Sequence, residues 1–445
     1  MKIVEMSVHD VRFPTSRTLD GSDAMHTTPD YSAAYVVLET DGDVTGHGLT
    51  FTNGRGTEIC VAAIRALGGL VVGRTLEGIT GDWRAFWRSL VSDDQLRWLG
   101  PEKGVVHLAV GAVVNAVWDL WAKSVGVPLW QLLAHMPPEE IVSAIDFRYI
   151  DDVLPPEEAL DLLRSALVGK DARERQIVAE GYPAYTTSAG WLGYDDAKVE
   201  ALTRQALAAG FRHVKMKVGQ GADPDARRAA LIRGVLGSDG VLMMDANQVW
   251  GVDDAIAATN GLAEFDPWWM EEPTSPDDVL GHARIRREVA PVRVATGEHI
   301  ANRVVFKQLF QADAIDVCQI DACRVAGVNE VLAILLMAKK FDVPVCPHAG
   351  GVGLCEYVQH LAVFDFVAVS GSLENRVVEW VDHLHEHFRD PAVVERGRYV
   401  VPRAPGYGVE MLESSLEEYG YPNGPVWSSI AGATGSRVGA KHHMI

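Results

Sequence analysis

From about residue 182 to 382, short apolar runs alternate with longer stretches in which apolar residues recur at three and four positions. The short runs predict strands at 182–187, 213–218, 241–245, 268–271, 292–296, 314–321, 343–346 and 376–381. The longer stretches predict helices such as 195–209, 225–236, 253–265 and 328–341, several of them preceded by an Asp or Asn that can cap the first turn. Eight strands alternating with helices is the count for a (β/α)8 barrel, a closed parallel sheet with its helices outside.

The flanks read differently. Residues 1–135 open with strand patterns at 2–13 and 34–39 and a Gly-rich polar stretch at 45–57. Helical periods follow, including 105–122, which Gly126 and Pro128 bring to a close. This is an α+β domain. The segment 141–181, with a strand-like 141–150 and an acidic helix after Pro155 and Pro156, reads as an insertion ahead of the first barrel strand. The chain therefore divides into a capping domain at 1–135, a barrel domain at 136–382, and a Pro- and Gly-rich segment at 383–445 expected to fold back on the capping domain.

Composition removes several classes of function. Apolar residues make up 48 % of the 445-residue chain and the net charge is −20, values of an ordinary globular protein with a sizeable core. Basic residues form nothing longer than pairs such as Arg227-Arg228 and Arg286-Arg287, so no nucleic-acid footprint is expected. The longest uninterrupted apolar run, the eight residues 331–338, falls far short of the roughly 20 of a membrane span, so no membrane partner is expected either. The opening MKIVEMSVHDVRF lacks the apolar core of a signal peptide, and the five cysteines form no CxxC pair and read as reduced core thiols. A cytosolic location follows as an expectation.

Ionisable residues then single out one rim of the barrel. Lys217, Asp245, Glu271, Glu298, Asp321 and His348 stand roughly 25 to 30 residues apart, one strand-plus-helix unit, each at or near the end of a strand. Asp245, Glu271 and Glu298 follow three successive strands; hard oxygen ligands with no Cys or His among them favour Mg²⁺. Any one of the three could be a helix cap or a surface acid, but three in phase are poorly explained that way. Glu272 points to the opposite strand face. Lys215 and Lys217, two apart in VKMKVG, share the interior face, and crowding is expected to lower one toward the range of a general base. Asp321 can orient His348 from the neighbouring strand. Glu379 on the last strand would complete the ring, with Glu374 competing for that place. His383, His385 and His387 form a separate cluster read as structural, and GGVG at 350–353 lacks the context of a nucleotide fingerprint.

These residues, in this order, resemble the mandelate-racemase-like branch of the enolase superfamily. The resemblance extends through AIDFRYI, YPAYTTSAGWLGY, GFRHVKMKVG, DANQVW, WMEEPTSPDD, ATGEH, PHAGGVGLCEYVQHL and VDHLHEHF, nearly the whole chain. It implies a modified TIM-type barrel under an α+β cap, Mg²⁺ as cofactor, a small acid sugar as partner with L-fuconate the expected substrate, and a homo-oligomer. The implied reaction is β-elimination of water to a 2-keto-3-deoxy acid. Lys217 would remove the α-proton, His348 oriented by Asp321 would protonate the leaving hydroxyl, and Lys215 and Glu379 would stabilise the developing charge. Asn247 is expected to touch the substrate. Gly21, Ser22, Asp23 and Tyr31 are expected to close over it from a lid loop. Racemisation or epimerisation by the same lysine and histidine stays open, as do dehydration of another sugar acid and a non-catalytic sugar-acid-binding role.

Overall fold

The computed structural model describes residues 1–430; the end of the C-terminal segment, 431–445, lies outside the described residues. Three antiparallel strands open the chain: β1 (Ile3–Arg12), β2 (Ser32–Thr40) and β3 (Gly46–Thr52). The helix Gly104–Ser124 lies directly on β3, and two glycines make this approach possible. A Cβ at Gly46 or Gly48 would stand 2.4 or 2.3 Å from the carbonyl oxygens of Ala116 and Ala112. With a mean hydropathy of 1.5 that helix could span a bilayer by composition, but 83 % of the apolar stretch is buried, the state of a core helix.

The barrel runs through β4 (Tyr182–Thr186), β5 (His213–Lys217), β6 (Val241–Asp245), β7 (Pro267–Glu271), β8 (Arg293–Thr296), β9 (Val317–Cys318) and β10 (Val378–Trp380). Neighbours pair in parallel in that order from β4 to β9, and β10 returns to pair with β4. The predicted strand at 343–346 is reduced to one bridge between Val345 and Cys318, because prolines at 344 and 347 remove ladder donors on either side. The Glu379 N–H reaches the Pro347 carbonyl at 3.4 Å and helps close the ring. Inside, Tyr185, Met243, Trp269, Ala295, Val317, Cys346 and Val377 form a packed plug. Alternation then places Asp245 and Glu271, each two residues beyond a plug residue, in the layer above it.

Two expectations change. The strand-like 141–150 is instead the helix Pro138–Ala144 followed by turns, with proline in the first turn, Glu139 and Glu140 behind it, and Ile141, Val142 and Ala144 buried. The C-terminal segment does more than return to the capping domain. Its hairpin, β11 (Val394–Glu395) and β12 (Arg398–Tyr399), pairs antiparallel with β4 outside the parallel ring. Further on, the Met411 N–H donates to Tyr35 Oη at 2.9 Å and Trp427 Nε1 donates to the Arg12 carbonyl at 2.9 Å, fixing the tail to the first sheet.

Candidate active site

Strand register brings the charges together. Lys217 lies opposite Asp245, and Asp245 opposite Glu271, so three adjacent strand ends are level. Carboxylate oxygens of Asp245, Glu271 and Glu298 all fall within 4.8 Å of one another. Lys215 Nζ sits beneath them, 2.6 Å from Glu271 Oε1, 2.9 Å from Glu379 Oε1 and 3.6 Å from Asp245 Oδ2. Lys217 Nζ is 2.5 Å from Asp245 Oδ2. Glu379 is buried while its rival Glu374 is exposed. Its Oε2 accepts the Ala349 N–H at 2.9 Å, and Oε1 accepts the hydroxyl of Thr187, a residue the sequence did not mark.

Asp321 and His348 form the expected pair. Nδ1 of His348 lies 2.7 Å from Asp321 Oδ2, while Oδ1 accepts the N–H groups of Cys323 and Arg324 at 2.6 and 2.7 Å. The Gly350 N–H lies 3.1 Å from Nε2, while Asp321 holds the Nδ1 proton and leaves Nε2 toward the cavity. Burial opposes the imidazolium, but Glu298 and Asp321 outweigh it and hold the His348 pKa up at about 9. Burial likewise favours a protonated Glu379, yet Lys215 and His348 bring it down to about 2.

Lys217 departs from the sequence-based expectation. Burial and the Lys215 charge favour its neutral form, but Asp245 in direct contact outweighs both and raises its pKa above the ordinary lysine range. The lysines do not simply crowd each other, because register inserts a carboxylate beside each.

The site thus holds five carboxylates, Asp245, Glu271, Glu298, Asp321 and Glu379, against the two ammonium groups and the His348 imidazole, and two oxygens are left over. Asn247 Oδ1 is buried with no hydrogen-bond partner among the described residues. Glu298 Oε2 is 3.2 Å from His348 Nε2 but lacks hydrogen-bond geometry. An all-oxygen set with surplus negative charge and free lone pairs fits a hard divalent cation held by Asp245, Glu271 and Glu298. A second grouping of Glu272, Glu298 and His299 fits less well. Glu272 is already committed to His299 Nδ1 at 2.9 Å and Gln248 Nε2 at 2.8 Å.

Lys217, Glu298, Asp321, His348 and Glu379 line a cavity of about 50 Å³ beneath the capping domain. A larger one of about 600 Å³ borders Val178–Gly181 and β12, with none of the charged ring on its wall. Gly21, Asp23, Tyr31 and Asn247 line the active-site cavity; Ser22 does not, its hydroxyl donating instead to the Thr27 carbonyl at 3.0 Å. Gly21, with φ of 81°, packs so closely that a Cβ there would stand 2.4 Å from the Tyr31 ring. The wall also includes His26, Phe51, Asn53, Trp191, His299 and Arg324, which the sequence reading passed over. Of these Arg324 carried the best signal, three residues after Asp321. The histidines of 383–387 diverge: His385 binds Glu356 and stacks on Trp380, His387 meets Ser415, and His383 lies over Tyr31.

Residues 7–134 match the family of mandelate racemase / muconate lactonizing enzyme N-terminal domains, and residues 198–415 match the enolase C-terminal domain-like family. The crystal structure of human mitochondrial enolase superfamily member 1 is 56 % identical, covers 96 % of this chain and 98 % of that one, and gives a TM-score of 0.96. The chain belongs to the enolase superfamily, in its mandelate racemase and muconate lactonizing branch. Another member, L-galactonate dehydratase of Hypocrea jecorina, is 56 % identical over 418 residues, 93 % of this chain and 92 % of the relative. A racemase of Streptomyces coelicolor with bound magnesium is a more distant member at 26 % identity, 94 % and 99 % coverage, and a TM-score of 0.74.

Proposed function

We propose that this enolase-superfamily enzyme dehydrates a six-carbon acid sugar of the L-galactonate configuration, L-fuconate foremost, to the 2-keto-3-deoxy acid. The observation that carries the reading is one cavity lined by Lys217, the Asp321-oriented His348 and Glu298, with the carboxylates of Asp245 and Glu271 within 4.8 Å of that of Glu298. Two substrate names reconcile chemically. L-fuconate is 6-deoxy-L-galactonate, so the resemblance to L-fuconate-processing sequences and the likeness to an L-galactonate dehydratase differ at one terminal hydroxyl.

Mg²⁺ bound by Asp245, Glu271 and Glu298 would neutralise the substrate carboxylate and the charge that develops on it as the α-proton leaves. Lys217, as the neutral amine that a cation competing for Asp245 would favour, is placed to receive that proton at Nζ, and Trp191 beside it limits water. His348, whose neighbours favour the charged imidazole, delivers a proton from Nε2 to the 3-hydroxyl as the C3–O bond breaks. Water departs, and the enol product rearranges to the ketone. Lys215 stays charged between Glu271 and Glu379, adding a fixed positive group below the reacting carboxylate.

A panel of acid sugars incubated with the protein and Mg²⁺, with 2-keto-3-deoxy products detected by a carbonyl reagent, tests the reading. The expected result is strong signal for L-fuconate and L-galactonate. No product from either would refute the L-galactonate configuration of the substrate, and silence across the whole panel, with α-proton exchange into heavy water intact, would point instead to racemisation or epimerisation, or to an acid outside the panel.

A further inference from the structure

The loop from Asp321 to the helix Val328–Lys340 is held largely by the other domain. Asn115, fully buried on the capping helix Gly104–Ser124, uses both ends of its amide on this loop. Nδ2 donates to the Ala322 carbonyl at 3.1 Å, and Oδ1 accepts the Val328 N–H at 3.2 Å. Trp87 Nε1 donates to the Ala326 carbonyl at 2.8 Å, and the Thr50 hydroxyl to the Cys323 carbonyl at 3.4 Å. Close fit accompanies these bonds: a Cβ at Gly111 would stand 2.7 Å from the Val325 carbonyl oxygen. Left alone, the loop would bury several unpaired backbone groups, each a substantial cost.

The same backbone reaches the reacting centre. Cys323 and Arg324 direct their N–H groups onto Asp321 Oδ1, which fixes the carboxylate that holds His348. Arg324 Nε also donates to the Glu298 carbonyl at 3.0 Å. Asn115 and Trp87 touch neither the cavity nor His348.

We propose that Asn115 and Trp87 are positioning residues through which the capping domain sets the orientation of His348. The proposal rests on the dehydration reading above, in which Lys217 and His348 act at separate steps. If the loop shifts, Asp321 loses its backbone donors and the imidazole its alignment, while Lys217 on β5 keeps its place. Proton removal and hydroxyl loss should then uncouple.

The experiment compares α-proton exchange into heavy water with 2-keto-3-deoxy product formation in Asn115→Leu, Trp87→Phe and a control, Trp118→Phe. Trp118 donates to Asn329 beyond the loop, so its loss weakens the same domain contact without touching the loop carbonyls. Dehydration is expected to fall by about 10²-fold in Asn115→Leu, the scale of an ångström-sized misplacement, and less in Trp87→Phe. Exchange and KM should stay near wild type, so the exchange-to-product ratio rises. Equal loss of both rates, or the same ratio change in Trp118→Phe, would overturn the proposal. If Asn115→Leu fails to fold, Trp87→Phe, which keeps most of the ring volume, carries the comparison. His348→Asn run in parallel separates the two ideas: wild-type dehydration there would overturn the proposed reaction itself.

Discussion

Replacing Lys215 by Met tests the charge balance of the site. Lys215 is fully buried, and its ammonium contacts Glu271, Glu379 and Asp245 at 2.6, 2.9 and 3.6 Å. Removing one partner of a buried ion pair costs about 3–5 kcal/mol because the other charge is left uncompensated. Glu271 moderates the loss, since burial and Asp245 already push its pKa up and ready it to take a proton. The lower end, about 3 kcal/mol, is therefore expected. At roughly 2.1 cal/mol/K of unfolding entropy per residue, a chain this long converts that into a melting temperature about 3 °C lower in chelator at neutral pH. Added Mg²⁺ should stabilise the native protein, by about 2.7 kcal/mol when present at 100 times its Kd. In Lys215→Met the gain should be larger, because the cation no longer enters beside a fixed ammonium. Differential scanning calorimetry with chelator or with saturating Mg²⁺ reads both numbers. No drop in chelator, or a Mg²⁺ gain no larger than wild type, would refute the electrostatic account of the site.

Lys217→Ala and His348→Asn should each abolish dehydration with an unchanged circular dichroism spectrum; wild-type turnover in either would remove that residue from its role. Chelator should abolish product formation and Mg²⁺ restore it, measured by the carbonyl assay. Asp23→Asn should raise KM, whereas Ser22→Ala should leave the kinetics near wild type, because Asp23 faces the cavity and Ser22 does not. Away from the site, Glu330 is buried against His107 and Arg303. Burial raises its pKa, but these partners outweigh burial and lower it to about 2 from an ordinary 4.5. A depressed carboxylate stabilises above its unfolded pKa and loses that contribution as pH falls through its folded one. Glu330→Gln should therefore cost about 3 kcal/mol at pH 7, with the difference shrinking between pH 4.5 and 2 in denaturant titrations.

Local signals made most of the barrel legible. Val241–Asp245 is a strand in sequence pattern and in structure alike, and the predicted helix 328–341 differs from Val328–Lys340 by one residue. The ionic residues were legible because the βα period places each one at the same rim. Where Pro344 and Pro347 interrupt the ladder, apolar pattern overstated the strand. At 141–150, alternating apolar residues resembled a strand, but proline and two glutamates at the start set a helix whose buried side fits the domain seam. Ser22 could not be told from Asp23 by sequence, since one residue's turn in a loop decides which side chain faces the cavity.

The Lys217 result shows most directly what sequence lacks. Two lysines separated by one residue look like mutual neighbours, and repulsion within VKMKVG predicts a lowered pKa. Their real electrostatic partners come from β6, β7 and β10, positions 28 to 164 residues away in the chain, brought alongside by strand register and barrel closure. Each ammonium is consequently matched to a carboxylate, and the unmatched charge in the site is negative. That excess, together with the unpartnered oxygens of Asn247 and Glu298, is what suits the rim to a hard cation. The same logic extends through the domain seam. The orientation of His348 depends on Asp321, whose loop is secured by Asn115 and Trp87 from a domain that supplies none of the ionic ring. Strand-end chemistry can be read one βα unit at a time, while the alignment of that chemistry resides in contacts between residues more than two hundred positions apart.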